Sequence, residues 1–108
     1  MTERVIVIGS GFGGLASALR ARNMGFDVTV IERLDQLGGR AQTFERDGFV
    51  FDAGPTVITA PFLFDELFEL FDRKIEDYVE ILPVTPWYRY AFNDGTHLTY
   101  GGSVDDTL

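Results

Sequence analysis

The 108-residue chain contains no cysteine. That removes disulfide staples, thiolate metal sites and thiol nucleophiles together, and it leaves the redox compartment unmarked. A single histidine, His97, offers no partner for metal ligation, so no metal site is expected. Positive charge is scarce: 9 Lys and Arg face 17 Asp and Glu, a net charge of −8. Without a basic stripe the chain suits a polyanion poorly, and no nucleic-acid partner is expected. No apolar run approaches the roughly 20 residues that cross a bilayer. The first four residues lead straight into a strand-like run, which leaves no room for the charged and apolar regions of a signal peptide. The expectation is a cytoplasmic protein, with peripheral contact to a membrane left open. Repeats and low-complexity segments are absent too.

What the chain does have is glycine, concentrated at one bend. Val5-Ile6-Val7-Ile8 is a β-branched run of the kind expected for a strand buried on both faces. It runs directly into Gly9-Ser10-Gly11-Phe12-Gly13-Gly14, which carries a G-x-G-x-x-G spacing. Leu15, Ala16, Ala18 and Leu19 then recur at helical spacing, and Gly25 suits the C-terminal stop. Val28-Thr29-Val30-Ile31 is a second strand, ended by Glu32. The order strand, glycines, helix, strand, acid is the dinucleotide-binding βαβ unit. Gly9 permits the tight turn, Gly11 lets a pyrophosphate approach the backbone, and Gly14 lets the helix pack on the sheet. The first-turn N–H groups and the positive end of the helix dipole face the phosphates. Glu32 stands where an acid accepts hydrogen bonds from a ribose diol, and its charge disfavours a 2′-phosphate, hence NADP. The alternative is a plain strand–helix turn with no ligand; five features in register favour the ligand.

A nicotinamide-binding domain continues with another helix and parallel strand. This chain instead gives Leu37-Gly38-Gly39-Arg40, where backbone again comes close to a ligand and a guanidinium can reach phosphate or flavin oxygens. Thr43 to Asp52 reads as a hairpin turning at Asp47-Gly48, closed by Ala53-Gly54-Pro55-Thr56. Further on, Pro61 to Phe71 reads as a helix with Phe64, Leu67, Phe68 and Phe71 on one stripe. Its acidic opposite face suits packing on the body of the protein better than docking on anionic lipid. Tyr78 to Leu82, Trp87 to Phe92 and Thr96 to Tyr100 read as strands, the last two joined at Asn93-Asp94-Gly95. Ser103 to Asp106 reads as a helix start. Two parallel strands are too few to close a doubly wound sheet, and the chain stops at that helix start. The expectation is therefore the N-terminal piece of a longer protein.

The segments "ERLDQLGGRAQTFERDGFVFDAGPTVIT" and "YVEILPVTPWYRYAFNDG", together with the glycine fingerprint, resemble the N-terminal part of bacterial-type phytoene desaturases. This carotenoid desaturase family of FAD enzymes sits within a wider amine oxidase-like flavoprotein group. The resemblance implies an α/β fold: a Rossmann-like βαβ FAD-binding unit followed by β-hairpins and a helix, the start of a two-domain flavoprotein. It implies a division into residues 1–56, part of the FAD-binding domain, and 57–108, the truncated start of a substrate-domain-like region. By the same resemblance, FAD is held by Gly9, Ser10, Gly11, Phe12, Gly13 and Gly14 at its pyrophosphate and by Glu32 at the adenosine ribose. Arg33 lies beside the adenine end, Gly39 and Arg40 run toward the flavin, and Asp52, Gly54, Pro55 and Thr56 lie on its isoalloxazine side. The implied activity is FAD-dependent desaturation of a hydrophobic polyene such as phytoene in carotenoid biosynthesis, with the 108 residues alone inactive. No residue stands out as the catalytic base. Two alternatives remain: a flavin oxidase of the same group acting on an amine or porphyrinogen, and a non-redox prenyl-binding protein of the same fold. Trp87, Tyr88, Tyr90 and Tyr100 either line a polyene channel or pack as ordinary strand aromatics.

Overall fold

A computed structural model describes residues 2–105. The β-branched opening forms β1 (Arg4–Ile8), which pairs in parallel with β2 (Asp27–Ile31), Val5 opposite Val28 and Ile8 opposite Ile31. Between them runs α1 (Phe12–Asn23). Its end follows from sequence: Gly25 takes φ +95°, and the Phe26 N–H donates to the Ala21 carbonyl, so the last turn closes without a side-chain cap. Arg20 and Arg22 lie in that turn, against the negative end of the dipole.

α1 covers one face of the two strands, where Val5, Val7 and Val28 are half-buried. The other face is open: Ile6 is 64% exposed and Ile8 85%. Burial of both faces, expected from the β-branched runs, is thus not met within these residues. Among the described residues no second layer covers Ile6, Ile8 and Ile31. The buried apolar residues among the described ones are Ala18 and Ile75. Consistently, the radius of gyration is 18.8 Å, against about 13 Å for a compact domain of this length.

After β2, a single 3-10 turn at Gly39–Ala41 leads into the hairpin of β3 (Thr43–Arg46) and β4 (Phe49–Asp52). Asp47 and Gly48 make its two-residue turn, both with positive φ, as Asp-Gly favours. Phe44 and Phe51 stack across the pair with ring centres 5.2 Å apart. Next comes α2 (Phe62–Glu69), with Pro61 just before its first turn. Its Phe64, Leu67 and Phe68 are half-buried. Phe64 meets the Phe12 ring edge-on at 5.3 Å, and Glu66 pairs with Arg20 at 2.7 Å. Phe64, Leu67 and Phe68 of the expected stripe therefore pack on the body of the protein, whereas Phe71 lies past the end of the helix and is exposed.

The expected strand at Tyr78–Leu82 does not form. A 3-10 turn at Ile75–Asp77 precedes it, and the segment itself is irregular chain that continues through Val84. The turn buries Ile75, and the Tyr78 and Val79 N–H groups both donate to its carbonyl, which draws the chain away from an extended path. The second hairpin appears where expected, as β5 (Tyr88–Ala91) and β6 (His97–Tyr100). Asp94 braces its three-residue loop by accepting from the Thr96 N–H at 2.9 Å and hydroxyl at 2.6 Å. The expected helix start is a bend and turn over Ser103 to Asp105, and Asp106 lies outside the described residues.

Candidate functional site

The bend between β1 and α1 is the most tightly specified backbone in the molecule. Gly9 takes φ +98°, open to glycine alone at little cost, and its N–H donates to the Ile31 carbonyl at 2.7 Å. A Cβ on Gly14 would collide with the Gly9 carbonyl, so the helix starts directly against the strand end. Gly11 is the N-cap residue of α1 and supplies no side chain to the first-turn N–H groups. A Cβ added at Gly11 or Gly13 meets no protein atom within 4 Å. The helix N-terminus thus faces open space across bare backbone, the surroundings a diphosphate requires.

A second glycine pair closes on this bend. The Gly38 N–H donates to the Ser10 carbonyl at 2.9 Å, and Gly38 bridges Gly11 in parallel. A Cβ on Gly39 would lie 3.0 Å from the Gly11 Cα. A Cβ on Gly54 would strike the Arg40 carbonyl, and Ala53 donates to Gln42 at 2.8 Å. Backbone contact therefore runs unbroken from the Gly9–Gly14 bend through Gly38–Arg40 to Gly54. Of the residues singled out from sequence, Gly9 to Gly14, Glu32, Gly39, Arg40 and Gly54 are brought together, with Pro55 and Thr56 continuing from Gly54. Arg33 follows Glu32 with its side chain exposed. Arg40 is exposed too, and among the described residues its guanidinium has no ion-pair or hydrogen-bond partner.

Glu32 sits at the end of β2 and holds the strongest polar cluster. Its Oε2 accepts from the Ser10 N–H at 2.8 Å and from the Ser10 hydroxyl at 2.6 Å. Its Oε1 accepts from the N–H groups of Arg33 at 2.7 Å and Leu34 at 2.9 Å. The Ser10 hydroxyl first, then the backbone donors, pull the carboxyl down from 4.5 to about 2. It is therefore an anion at any physiological pH.

This combination of bare helix N-terminus, crossed glycine turns and strand-end carboxylate has a counterpart among known families. Residues 7–73 match the NAD(P)-binding Rossmann-like domain. The chain belongs to that family. Individual relatives add detail to the Rossmann-like match. The chain is 51% identical to a lycopene-forming phytoene desaturase of Pantoea ananas over 94 residues, 87% of this chain and 19% of that protein. It is 43% identical to a zeta-carotene-forming phytoene desaturase of Myxococcus xanthus over 91% of this chain and 19% of the relative. A 4,4'-diaponeurosporene oxygenase of Staphylococcus aureus is 37% identical over 99% of this chain and 22% of its own length. The chain thus spans about a fifth of the curated relatives it matches. The similarity to phytoene desaturases bears out the resemblance seen in the sequence, and the Rossmann-like match bears out the α/β assignment.

Two features escaped sequence reasoning. One is the Ser10–Glu32 clamp, whose only signal was a hydroxyl residue between the first two glycines. The other is an apolar cleft of about 580 Å³ between the 56–61 segment and the irregular 79–84 segment. Val57, Ile58, Ile81, Leu82, Val84 and Trp87 line it, and Thr56 places it at the end of the backbone strip. It formed no pattern in sequence because its walls come from two separate segments that only the folded path brings together. Among the described residues, no helix is long and apolar enough to cross a membrane.

Proposed function

We propose that the full-length protein is an FAD-dependent desaturase that introduces double bonds into a hydrophobic polyene precursor such as phytoene. The observation that carries this is the identity to phytoene desaturases over 87% of the chain, through a dinucleotide bend whose glycine and carboxylate geometry is intact. The residues present fit the cofactor: open space lies before Gly11 and Gly13, and an anionic carboxylate stands at the strand end. The first-turn N–H groups of α1, with Gly9, Gly11 and Gly14, hold the pyrophosphate. Glu32 holds the adenosine ribose, and Arg33 lies at the adenine end. Gly39, Arg40, Gly54, Pro55 and Thr56 line the path toward the flavin ring, which accepts a hydride from a saturated carbon when bound. The exposed Arg40 guanidinium supplies charge-assisted bonds along that path.

A hydrocarbon substrate makes no hydrogen bonds, so its binding surface needs apolar walls without buried polar atoms. The cleft that begins at Thr56 is walled mainly by apolar side chains such as Val57, Ile58, Leu82 and Trp87, with Glu80 the charged residue among them. Residues 57–108 would then open the substrate-binding region, and a substrate dissolved in lipid accounts for peripheral membrane contact by an otherwise cytoplasmic protein.

Two measurements on the full-length protein test this. It should purify yellow, release FAD on denaturation, and convert phytoene to more conjugated, coloured products separable by chromatography. Bound NAD without flavin overturns the cofactor assignment. A flavoprotein that leaves phytoene untouched while oxidising an amine or a porphyrinogen overturns the substrate. A second activity is favoured by one observation, the similarity to a 4,4'-diaponeurosporene oxygenase over 99% of this chain: oxygenation of a polyene, detected as a product gaining oxygen mass rather than losing hydrogen.

A further inference from the structure

Ser10 is the only polar side chain fully buried among the described residues, at 0% exposure, yet it sits between Gly9 and Gly11, just before the open helix end. A serine at such a bend is an obvious direct phosphate donor. Its donors are spent elsewhere. The hydroxyl has one proton, and it goes to Glu32 Oε2 at 2.6 Å; the main-chain N–H goes to the same oxygen at 2.8 Å. The Ser10 carbonyl meanwhile accepts from Gly38. A diphosphate before α1 gains nothing from Ser10.

An ionised carboxylate offers about four acceptor positions. Ser10 occupies the two on Oε2, in part-buried surroundings. The bonds on Oε1, from the Arg33 and Leu34 N–H groups, are exposed. Those backbone donors can exchange for water or a hydroxyl at little cost, whereas a buried Ser10 that loses its acceptor is left with unsatisfied donors. One oxygen is pinned and the other is free to exchange. Pinning fixes the plane of the carboxylate, because rotation about its terminal bond would break both Ser10 contacts.

We propose that Ser10 is a positioning residue for nucleotide-ribose recognition: it clamps one oxygen of Glu32 so that the other is presented, correctly oriented, to the ribose 2′-hydroxyl. This rests on the reading above that Glu32 takes the ribose. Ser10 then contributes to affinity and to selection against nucleotides lacking a free 2′-hydroxyl, while touching neither ribose nor phosphate.

The test uses full-length apoprotein and displacement of FAD fluorescence quenching by two probes, ADP and 2′-deoxy-ADP. The unmodified protein should prefer ADP by about tenfold, the order expected for one hydroxyl bonded to a charged acceptor. Glu32→Ala should abolish that preference. Ser10→Ala should reduce it to about two- to threefold, and the double variant should behave as Glu32→Ala does. Ser10→Cys keeps the buried volume while donating weakly; it should match Ser10→Ala and serves if that variant does not fold. A merely structural serine would weaken both probes equally, so an unchanged preference in folded Ser10 variants overturns the proposal. Losses that multiply in the double variant overturn it too, because Ser10 would then act on phosphate directly. If the unmodified protein binds FAD but shows no ADP preference, the ribose role of Glu32 fails and the Ser10 proposal with it. If it takes up no FAD, the cofactor assignment fails.

Discussion

Residues 4–54 and residues 57–105 are held together by different groups. In the first stretch, main-chain hydrogen bonds join distant segments: Gly9 to Ile31, Gly38 to Ser10, Ala53 to Gln42. In the second, the main-chain bonds are local turns and one hairpin. Its ties to the rest are side chains, Phe64 on Phe12 and Glu66 on Arg20. Backbone donors and glycine contacts make a rigid site with fixed polarity, which suits a cofactor whose diphosphate is always the same. Side-chain contacts around an irregular segment make an apolar surface that tolerates variation in shape, which suits hydrocarbon. The relatives are named for different activities, a lycopene-forming phytoene desaturase and a 4,4'-diaponeurosporene oxygenase.

The largest expected effect comes from a contrast within the first region. Gly14→Ala drives a Cβ into the Gly9 carbonyl. Relief requires α1 to lift off β1, so stability should fall by more than about 3 kcal/mol. Gly11→Val adds a larger side chain where no protein atom lies within 4 Å, at φ −68° and ψ 174°, an extended conformation that valine accepts. It should leave the apoprotein's denaturation midpoint nearly unchanged and weaken FAD by about a hundredfold or more, because the side chain occupies the pyrophosphate's space. Urea unfolding and fluorescence titration on both variants separate the outcomes. Equal loss of stability would show that Gly11, like Gly14, serves packing alone.

A smaller effect is expected where the two regions meet. Phe64→Ala removes a half-buried ring lying edge-on to Phe12 at 5.3 Å. The expected cost is about 1–3 kcal/mol, below that of a fully buried phenylalanine because part of the ring already faces solvent. FAD affinity should change far less than in Gly11→Val, since the α1 backbone is fixed by β1 and Gly38 and not by Phe64. A loss of FAD as large as that of Gly11→Val would mean that the side-chain contacts also set the nucleotide bend.

The same division explains what was legible in the sequence. The βαβ unit, its terminating Gly25, the Asp47-Gly48 hairpin and the Asn93-Asp94-Gly95 loop are specified by local rules, and each forms within a residue or two of its expected limits. The Tyr78–Leu82 segment misled because a short run of aromatic and branched apolar residues has strand-like composition, while the observed path depends on Ile75 being buried and its carbonyl taking two donors. Two-sided burial of β1, read from its β-branched run, is likewise not met among the described residues, where Ile6 and Ile8 stay exposed. At the bend, the glycines were readable because their spacing is a local pattern: Gly9 needs positive φ, Gly14 needs close packing, and Gly11 and Gly13 leave the space before the helix open. The Ser10–Glu32 clamp was not, because it joins residues 22 positions apart and no local pattern encodes that distance.

The smallest expected effect tests the polarity of the backbone-built region through pH. Glu32 ionises at about 2 in the folded protein, against an ordinary value of 4.5, chiefly because the Ser10 hydroxyl donates to it. A depressed folded value means the contribution to stability is complete above about pH 4.5, declines as pH falls below that, and is gone below about 2. Glu32→Gln removes the titrating group, so the apoprotein should be less stable at pH 7 and lose less stability between pH 4.5 and 2. Glu66 and Asp94, also lowered by their hydrogen-bond donors, titrate in the same direction in parent and variant alike and cancel in the comparison. The carboxylate is partly open to water, so the difference between the two acid limbs should be modest. Denaturation midpoints across that range measure it. Parallel acid limbs would mean that the Ser10–Glu32 contact is too weak in solution to hold the carboxylate, and that the nucleotide meets an acid it must orient itself.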